Sequence, residues 1–414
     1  MDKLTIIAGL SGLLLVLLVV GNAVYENPEQ RYESSRDDLM DTYVNIIIYH
    51  NDEDEAKEIM NEVYAEMERV SAIANRFNTS SEVSILNANG NISNPSPELL
   101  EMIRTSKEYS TITGGAFDIT ILPLLNLWDP YSGAGPYEIF TMEQSHSDSL
   151  DSATITEAIR DAFLSSDSQY TLAGDASVTV IQPGQEWTIQ SGWVNYHIMN
   201  ATGILSITVK EFWNANPATQ LMVLNDTMQL VGSEKITVTD GSITLQDGMS
   251  ITLDGMAKGY IVDSAIRVLK ARGIDRALID AGGDITTIGE KPEDEKWVIG
   301  LRNPEDKSES VTEFEVDGKA VATSGNYERF FNDTANVGNI IDPATGYSVY
   351  NASSATIIAN NCTVADILAT AIFVLGTTDG IALVDTLPDV EALMLDYQDP
   401  QKMYRSSGAS TYEI

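Results

Sequence analysis

Strand-like and helix-like segments follow one another along this chain without a regular alternation. Thr42 to His50 alternates in polarity and is rich in β-branched residues, as expected for a strand. Residues 54–77 instead carry apolar side chains at the spacing of an amphipathic helix, at Ile59, Val63, Met67 and Val70. Several later strands follow each other with no helix between them. The pattern therefore favours an α+β fold over a doubly wound parallel sheet.

The same periodicities predict the other elements of the chain. Helices are predicted over Pro97–Ser110, Ala257–Arg272 and Thr363–Val374. Strands are predicted over Arg276–Asp280, Trp297–Leu301, Glu313–Val316, Ala320–Thr323, Ala355–Asn360 and Glu391–Tyr397. A hairpin is predicted from Lys235–Val238 and Ser242–Leu245, which are joined by Asp240-Gly241.

The composition changes between residues 130 and 216. Ser, Thr, Gly and Gln dominate this stretch, and short β-type runs occur at Ser177–Gln182, Trp187–Gln190 and Ile204–Val209. A helix-like run spans Thr156–Leu164. We interpret residues 130–216 as a mostly-β insertion into a single domain that is formed by residues 39–129 and 217–414.

An uncharged apolar run, Leu4–Val20, precedes the globular part of the chain. As a helix it spans about 25 Å, near the lower limit for crossing a bilayer. Lys3 precedes the run and acidic residues follow it, which favours an extracytoplasmic location for the rest of the chain. We expect residues 1–24 to be a retained membrane anchor rather than a cleaved signal, residues 25–38 to be a polar tether, and the globular part to lie outside the cytoplasm at the cell membrane.

The chain is strongly acidic. It has 61 Asp and Glu residues against 24 Lys and Arg, which gives a formal charge of −37 at pH 7. Such a surface repels polyanions, so nucleic-acid binding is excluded. Hydrophobic residues nevertheless make up 43% of the chain, which is typical of a globular protein rather than a disordered one. The single cysteine, Cys362, excludes a disulfide framework or a cysteine-based zinc site.

Two glycine-containing segments combine a turn with charged residues. Gly114–Asp118 reads either as an ordinary turn before the next element or as part of a binding loop. In Leu253–Tyr260, an acid (Asp254), a glycine and Lys258 stand at the start of a predicted helix. The free N–H groups of a helix amino terminus and a nearby lysine suit a phosphate group. The other interpretation is a helix-capping aspartate beside a solvated lysine.

A carboxylate and a hydroxyl share one face of the helix predicted near residue 366. Asp366 and Thr370 are four residues apart, so their side chains lie one turn from each other. Oxygen ligands of this kind suit Mg²⁺, which takes one or two protein groups and fills its other positions with water or substrate phosphates. A capping acid with a core-facing threonine is the alternative that the spacing leaves open.

Seven short segments of this kind occur along the chain. They are Ser81–Asn87, Gly114–Asp118 with its continuation Leu124–Trp128, Asp254–Tyr260, Gly282–Asp284, Thr323–Tyr327, Ile341–Gly346 and Ala365–Thr370. In sequence and in order, these segments resemble those of the ApbE family of FAD:protein FMN transferases. Each one is weak by itself, but their common order makes the resemblance specific. It covers roughly residues 41–404, apart from the insertion.

The resemblance implies an exported, Mg²⁺-dependent transferase that cleaves FAD, releases AMP and leaves FMN on a Thr or Ser hydroxyl of an acceptor protein. A subunit of a membrane redox complex is one implied acceptor. The implied metal ligands are Asp366, Thr370 and the main-chain carbonyl of Ala257. The implied flavin-binding residues are Met40, Tyr43, Asn87, Ala116, Phe117, Asp118, Asp254, Lys258, Ser324, Ile340 and Ile341. The candidate catalytic residues are Asp254, Lys258 and Asp342.

Two departures from the family pattern bear on this expectation. Asp41 stands where the family usually has glycine. Asn339 stands where the family often has histidine, and asparagine cannot act as a general base near neutral pH. Either Asp254 or Asp342 then has to take this role, or the metal has to activate the hydroxyl. The alternative is a homologue that binds or hydrolyses FAD without transferring FMN to a protein.

Overall fold

The structure of the protein is a computed structural model. It describes residues 28–40, 42–128, 137–142, 186–191, 194–201, 204–209, 217–304, 306, 308–325, 330–332 and 337–414. The helices in these ranges are α1 (Glu53–Ala74), α2 (Glu82–Asn89), α3 (Pro97–Ile112), α4 (Leu122–Trp128), α5 (Pro217–Met228), α6 (Ala257–Ala271) and α7 (Cys362–Val384). Short 3₁₀ turns occur at Ile119–Ile121, Ser233–Lys235, Pro292–Asp294 and Ala409–Thr411.

The strands of the same ranges are numbered in chain order. They are β1 (Gln30–Leu39), β2 (Thr42–His50), β3 (Asn91–Ser93), β4 (Tyr137–Met142), β5 (Glu186–Ser191), β6 (Val194–Ala201), β7 (Ile204–Val209), β8 (Thr237–Val238), β9 (Ser242–Thr244), β10 (Ala277–Ala281), β11 (Asp284–Ile288), β12 (Trp297–Arg302), β13 (Ser310–Val316), β14 (Ala320–Gly325), β15 (Phe330–Asn332), β16 (Val337–Gly338), β17 (Ser354–Ala359), β18 (Glu391–Leu395) and β19 (Met403–Arg405).

An eight-stranded antiparallel sheet, in the order β1-β2-β10-β11-β14-β17-β18-β19, forms the centre of the fold. Successive side chains of a strand point to opposite faces, so Val44 and Ile48 of β2 are fully buried on one face, in the core formed with α1, α6 and α7. On the other face, Ile47 packs with Trp297 and Phe314 of the β12–β13 hairpin. The predicted mixture of helices and sheet is confirmed.

Helices α6 and α7 meet closely at their first turns. Asp263 of α6 accepts hydrogen bonds from the main-chain N–H groups of Cys362 (2.9 Å) and Thr363 (2.8 Å), and so satisfies donors that a helix start leaves free. A Cβ atom added to Gly259 of α6 would lie 2.9 Å from the Cβ of Asp366 and even closer to the carbonyl oxygen of Cys362. The lack of a side chain at Gly259 therefore allows Asp366 to approach the backbone of α6.

Among the described residues, α7 is the one helix that is long and apolar enough to cross a membrane. Its side chains Ile367, Leu368 and Phe373 are fully buried in the main core, as in the central helix of a globular domain. The helix continues beyond its predicted end at Val374, through a break at Gly376, where φ is +80°. The predicted anchor, Leu4–Val20, lies outside the described residues.

Residues 30–38, which were expected to belong to the polar tether, instead form most of strand β1. This strand pairs with β2 from Gln30 to Leu39. Its polar residues suit a strand at the edge of the sheet, where one side faces water. The Tyr64 hydroxyl of α1 donates to the Ser34 carbonyl oxygen (2.8 Å), and the Arg36 guanidinium lies 4.2 Å from the centre of the Tyr64 ring. Polarity alone does not distinguish such a strand from a linker.

Strands β4 to β7 of the predicted insertion form a separate antiparallel sheet, in the order β4-β7-β6-β5. Two of its strands correspond to the predicted runs at Trp187–Gln190 and Ile204–Val209. The predicted helix Thr156–Leu164 and the predicted strand Ser177–Gln182 lie outside the described residues. The insertion leaves the domain after α4 and returns at α5, and these two helices pack together through Leu125 and Leu224.

Candidate active site

A cavity of about 630 Å³ brings together residues from distant parts of the chain. Its walls include the start of β2, the segment after α1, the start of α6, the end of β14 and two residues of α7. The predicted site residues that line it are Ala116, Phe117, Asp118, Asp254, Lys258, Ser324, Ile340, Ile341, Asp366 and Thr370. Residues as far apart in the chain as Ala116 and Thr370 therefore converge on one place.

Glycines at the start of α6 let the main chain approach α7. A Cβ atom added to Gly255 would lie 3.6 Å from Thr370 Oγ1 and 3.3 Å from the Phe117 ring. Together with Gly259, which faces Asp366, this places residues 255–259 along the side of α7 that carries the predicted ligands. The carbonyl group of Ala257 belongs to the same short stretch.

The ammonium group of Lys258, which lines the cavity, interacts with two buried carboxylates, those of Asp284 and Asp366. Lys258 Nζ lies 2.8 Å from Asp284 Oδ2, and the Asp284 side chain is only 2% exposed. Burial by itself lowers the pKa of Lys258, but the charges of Asp284 and Asp366 outweigh it, so the pKa lies above its usual value. Burial, with the charge of Asp284, raises the pKa of Asp366 to about 7, and Lys258 only partly opposes this. With both carboxylates ionised, the group has one positive charge for two negative charges.

The donors around Asp366 fit a hard divalent cation. Asp366 Oδ2 accepts a hydrogen bond from the Gly259 N–H (3.0 Å), which orients the carboxylate, and Thr370 Oγ1 lies 3.1 Å from Ser324 Oγ. Carboxylate, hydroxyl and carbonyl oxygens are the ligands that Mg²⁺ prefers. Within the described ranges, no group of three or more His, Cys, Asp or Glu residues could hold a metal ion. A cation here therefore depends on Asp366, on neutral oxygens and on its other ligands, water or phosphate.

Arg76 and Phe77 also line the cavity, although the sequence analysis missed them. Arg76 Nε donates to Asp254 Oδ2 (2.8 Å), and the guanidinium lies 4.1 Å from the centre of the Phe77 ring. Phe77 is 70% exposed, which is unusual for a large aromatic side chain, and the ring face opposite Arg76 is open to a planar ligand. The amphipathic pattern of 54–77 concealed both residues, because it extended the helix three residues beyond its true end at Ala74.

Tyr43 and Met40 do not line the cavity, contrary to the prediction. Tyr43 is on the outer face of the sheet, where its hydroxyl lies 3.3 Å from Ser35 Oγ. Because side chains alternate in a strand, the neighbouring Thr42 faces the cavity instead, close to Gly282. Met40 has a positive φ of 57° and packs, partly buried, against the main core. The unusual Asp41 lies outside the described residues.

Asp342 and Asn87 do not line the cavity either. Asp342 Oδ1 accepts from the Ala344 N–H (2.8 Å), and Oδ2 accepts from the Thr345 hydroxyl (2.9 Å), so its carboxylate closes a turn beside the cavity. The side-chain amide of Asn87 is paired with both main-chain groups of Ile251, at 2.9 and 2.8 Å. It therefore fastens α2 to the segment that leads into the cavity.

We expect the Asn87→Ala variant to lower the free energy of unfolding by about 2 kcal/mol, because it leaves a main-chain N–H and C=O of Ile251 without their partners. The folded variant should bind FAD with the wild-type dissociation constant. Urea unfolding and a fluorescence titration with FAD measure the two quantities. A large loss of FAD affinity at unchanged stability would instead show that Asn87 takes part in FAD binding.

Asp254 and Asn339 also present polar side chains to the cavity. Asp254 lines the cavity, is about half exposed and is paired with Arg76. Asn339 lines the same cavity, and none of the described residues provides a hydrogen-bond partner for its buried Oδ1 atom. Asp118 is less available, because Oδ1 accepts from Thr120 and Oδ2 accepts from the Ser233 N–H.

Fold and site together define an α+β protein. Its core is built on one antiparallel sheet, and its polar cavity suits a cation and a phosphate-containing ligand. The chain belongs to the ApbE family, whose sequence model matches residues 40–170 and 198–394. It is similar to the FAD:protein FMN transferases of Treponema pallidum (38% identity over 173 residues, 39% of this chain and 47% of the relative) and Klebsiella pneumoniae (33% over 178 residues, 41% and 54%). The chain thus spans about half the length of these curated relatives.

Solved structures share the fold. The flavin transferase ApbE from Vibrio cholerae superposes with a TM-score of 0.65 at 22% identity, covering 93% of this chain and all of that chain. The ApbE protein from Thermotoga maritima gives a TM-score of 0.66, also at 22% identity and with the same coverage. The ApbE-like fold expected from the motifs is confirmed.

Proposed function

We propose that this protein transfers FMN from FAD to a Ser or Thr hydroxyl of an acceptor protein and releases AMP, with Mg²⁺ as its metal. The convergence of Lys258, Asp366 and Thr370 in one cavity, with Asp284 paired to Lys258 behind it, carries the proposal. These residues would hold a cation and a pyrophosphate side by side. The name of the curated relatives, FAD:protein FMN transferase, supports the same reaction.

The reaction breaks the phosphoanhydride bond of FAD and forms a phosphoester bond to the acceptor. The acceptor hydroxyl oxygen bonds to the phosphorus that carries riboflavin, the bond from that phosphorus to the bridging oxygen breaks, and AMP leaves with the bridging oxygen. The hydroxyl proton has to leave as well. Asp366, Thr370 and the Ala257 carbonyl would hold the Mg²⁺ ion, which when bound would supply positive charge for the leaving phosphate. The chain itself supplies Lys258 and Arg76, which face the same cavity.

The proton acceptor in this chain is a carboxylate rather than an imidazole. Asn339 has no basic atom near neutral pH, and Asp342 is engaged in its turn. Asp254 lines the cavity, and one of its oxygens is held by Arg76. We therefore propose that the Asp254 carboxylate accepts the proton of the acceptor hydroxyl. Asn339 also favours the second candidate function, FAD hydrolysis or FAD binding without transfer to a protein.

One experiment separates these functions. The full-length protein in detergent is incubated with FAD, Mg²⁺ and a peptide that contains a single Thr, and the products are resolved by chromatography and mass spectrometry. Transfer gives AMP and a peptide that has gained the mass of FMN. Hydrolysis gives AMP with free FMN. Retention of intact FAD on the protein, with neither product, would contradict both enzymatic functions. Omission of Mg²⁺ should abolish the transfer.

The proposed location is the cell membrane, with the catalytic domain on the extracytoplasmic side. The apolar run Leu4–Val20 and the flanking charges support an anchor there. The acceptor would then be a protein exposed on the same side, for which a membrane redox-complex subunit is our candidate. Protease treatment of intact cells tests the location, since an extracytoplasmic domain is cleaved without lysis.

A further inference from the structure

The side chain of Arg76 has N–H groups that the described part of the protein does not use. Its Nε atom donates to Asp254 Oδ2 (2.8 Å), and within the described ranges no other residue accepts a hydrogen bond from this side chain. A guanidinium group carries five N–H donors, so the four on Nη1 and Nη2 remain for a ligand or water. Arg76 lines the cavity and is only 17% exposed. Unpaired donors in such a place cost free energy, which a ligand that accepts from them recovers.

Two neighbours hold this guanidinium group in a fixed plane. Its Cζ atom lies 4.1 Å from the centre of the Phe77 ring, and Asp254 holds its Nε side. The main-chain carbonyl oxygen of Arg76 also accepts from the Ser84 hydroxyl (3.0 Å), which fastens the segment to α2. The edge formed by Nη1 and Nη2 is therefore left for a partner with two oxygens. A phosphate group has the geometry that matches this edge.

Lys258, the other cation among the described residues that line the cavity, is already neutralised. Its ammonium group lies 2.8 Å from Asp284 Oδ2 and also interacts with the charge of Asp366, and both carboxylates are buried. The carboxylate paired with Arg76 is that of Asp254, which is 47% exposed, so water screens part of its charge. Arg76 thus keeps both charge and donors for an anionic ligand.

The hydrogen bond to Asp254 places Arg76 on one side of the proposed reaction. In an in-line displacement, the attacking and leaving oxygens lie on opposite sides of the phosphorus. Asp254 accepts the proton of the attacking hydroxyl in the proposed mechanism, whereas the proposed metal ligands belong to the side of the leaving phosphate. The phosphate beside Asp254 is therefore the one that carries riboflavin. A carboxylate and a phosphate repel each other unless a cation offsets their charges, and Arg76 is a cation bonded to this carboxylate.

We propose that Arg76 binds the riboflavin phosphate of FAD through Nη1 and Nη2, while its Nε atom holds Asp254 beside this phosphate. The inference rests on the proposed FMN transfer and assigns a catalytic role to a residue outside the seven motifs. As the hydroxyl oxygen bonds to phosphorus and AMP leaves with the bridging oxygen, the two N–H groups hold the non-bridging oxygens of the transferred phosphate. The hydroxyl proton goes to the other oxygen of Asp254.

The test measures the binding of FAD, FMN and AMP to the full-length protein in detergent by isothermal titration calorimetry, since FMN carries the riboflavin phosphate and AMP does not. For Arg76→Gln, we expect the dissociation constants of FAD and FMN to rise about thirtyfold, from the loss of two charge-assisted hydrogen bonds. The dissociation constant of AMP should change less than about twofold. FAD is titrated without Mg²⁺ so that it stays intact.

Arg76→Lys separates the charge of the side chain from its geometry. A lysine keeps the positive charge but cannot present two parallel N–H groups to a phosphate. We expect this variant to recover part of the FMN affinity and to transfer FMN to a Thr peptide about tenfold more slowly than the wild type. A lysine variant with the wild-type affinity and transfer rate would contradict the contact through Nη1 and Nη2.

The control is Arg104→Gln, because Arg104 is also paired with one aspartate, through a hydrogen bond from Nη2 to Asp240 Oδ1 (2.7 Å). Arg104 belongs to α3 and does not line the cavity, so all three dissociation constants should stay within about twofold of the wild type. Equal losses of FMN and AMP affinity in Arg76→Gln, or unchanged affinity for all three ligands, would overturn the inference and leave the proposed function standing. If the wild type transfers FMN to no peptide, a selective loss of FAD and FMN binding retains the phosphate contact and rejects the transfer.

Discussion

An Asp366→Asn variant should transfer FMN about a thousand times more slowly than the wild type, which corresponds to a loss of about 4 kcal/mol of transition-state stabilisation. Asp366 is the one carboxylate among the proposed metal ligands, and the other proposed donors are a hydroxyl and a carbonyl. An asparagine preserves the size of the side chain and can still accept from the Gly259 N–H. It removes the negative charge that attracts Mg²⁺ into the site.

The stability of this variant should not fall. Asp366 is buried beside Asp284, and burial raises its pKa, which means that its negative charge is unfavourable in the folded protein without a cation. Removing that charge should leave the free energy of unfolding without added Mg²⁺ unchanged or higher. Activity at increasing Mg²⁺ concentrations and urea unfolding provide the two measurements. A variant with the wild-type rate and the same Mg²⁺ dependence would contradict the assignment of Asp366 as a ligand.

Asp263→Asn is the matched control for Asp366→Asn. Asp263 is also a buried carboxylate of the α6–α7 contact, but it does not line the cavity. Its oxygens accept hydrogen bonds from the first turn of α7, so the amide loses some of them. We expect this variant to lose about 2 kcal/mol of stability and to keep its transfer rate per folded molecule. Opposite effects on rate and stability would distinguish a ligand from a helix cap.

The second large effect is expected from Gly259→Ala. The new methyl group would overlap with the carbonyl group of Cys362 and the Cβ of Asp366, which belong to the first turns of α7. These atoms are part of a packed core and cannot move independently, so α6 and α7 have to separate. We expect the free energy of unfolding to fall by about 3 kcal/mol. The transfer rate should also fall, because Asp366 moves away from the Ala257 carbonyl.

The comparison for this variant is Gly241→Ala, in the turn between β8 and β9. Gly241 has an ordinary φ, and a Cβ atom added to it would meet no heavy atom within 4 Å. The expected change in stability is below about 0.5 kcal/mol. Thermal unfolding of both variants, with FAD titration of the folded proteins, measures the difference. Similar stabilities for the two variants would show that α6 and α7 adapt to the extra methyl group.

The sequence predicted the location of the site better than the role of each residue in it. A Gly-containing turn next to an acid or a lysine indicates a place where the main chain approaches another element. In the structure, several of these segments line the same cavity. The motifs do not show which atoms each side chain contacts. Asn87 lies in a motif, but its partner is the main chain of Ile251, 164 residues away. Its structural role depends on this distant contact.

The register of strand β2 explains why the prediction for Tyr43 differs from the structure. A shift of one residue along a strand moves a side chain to the opposite face of the sheet, so Thr42 faces the cavity and Tyr43 does not. Arg76 and Phe77 were missed because a helical pattern cannot show where the helix stops, and the Asn75 cap ends it before them. The pairing of Lys258 with Asp284 joins two motifs that the sequence presents separately.

If Leu4–Val20 is the membrane anchor that we propose, strand β1 limits how far the active site can lie from the lipid bilayer. Because pairing with β2 begins at Gln30, only residues 21–29 separate the proposed anchor, Leu4–Val20, from the rigid domain. Nine residues reach at most about 30 Å when fully extended, compared with about 60 Å for a linker that continued to residue 38. A catalytic domain on so short a linker would stay within a thin layer above the membrane. Acceptor hydroxyls that stand high above the lipid headgroups would be out of its range.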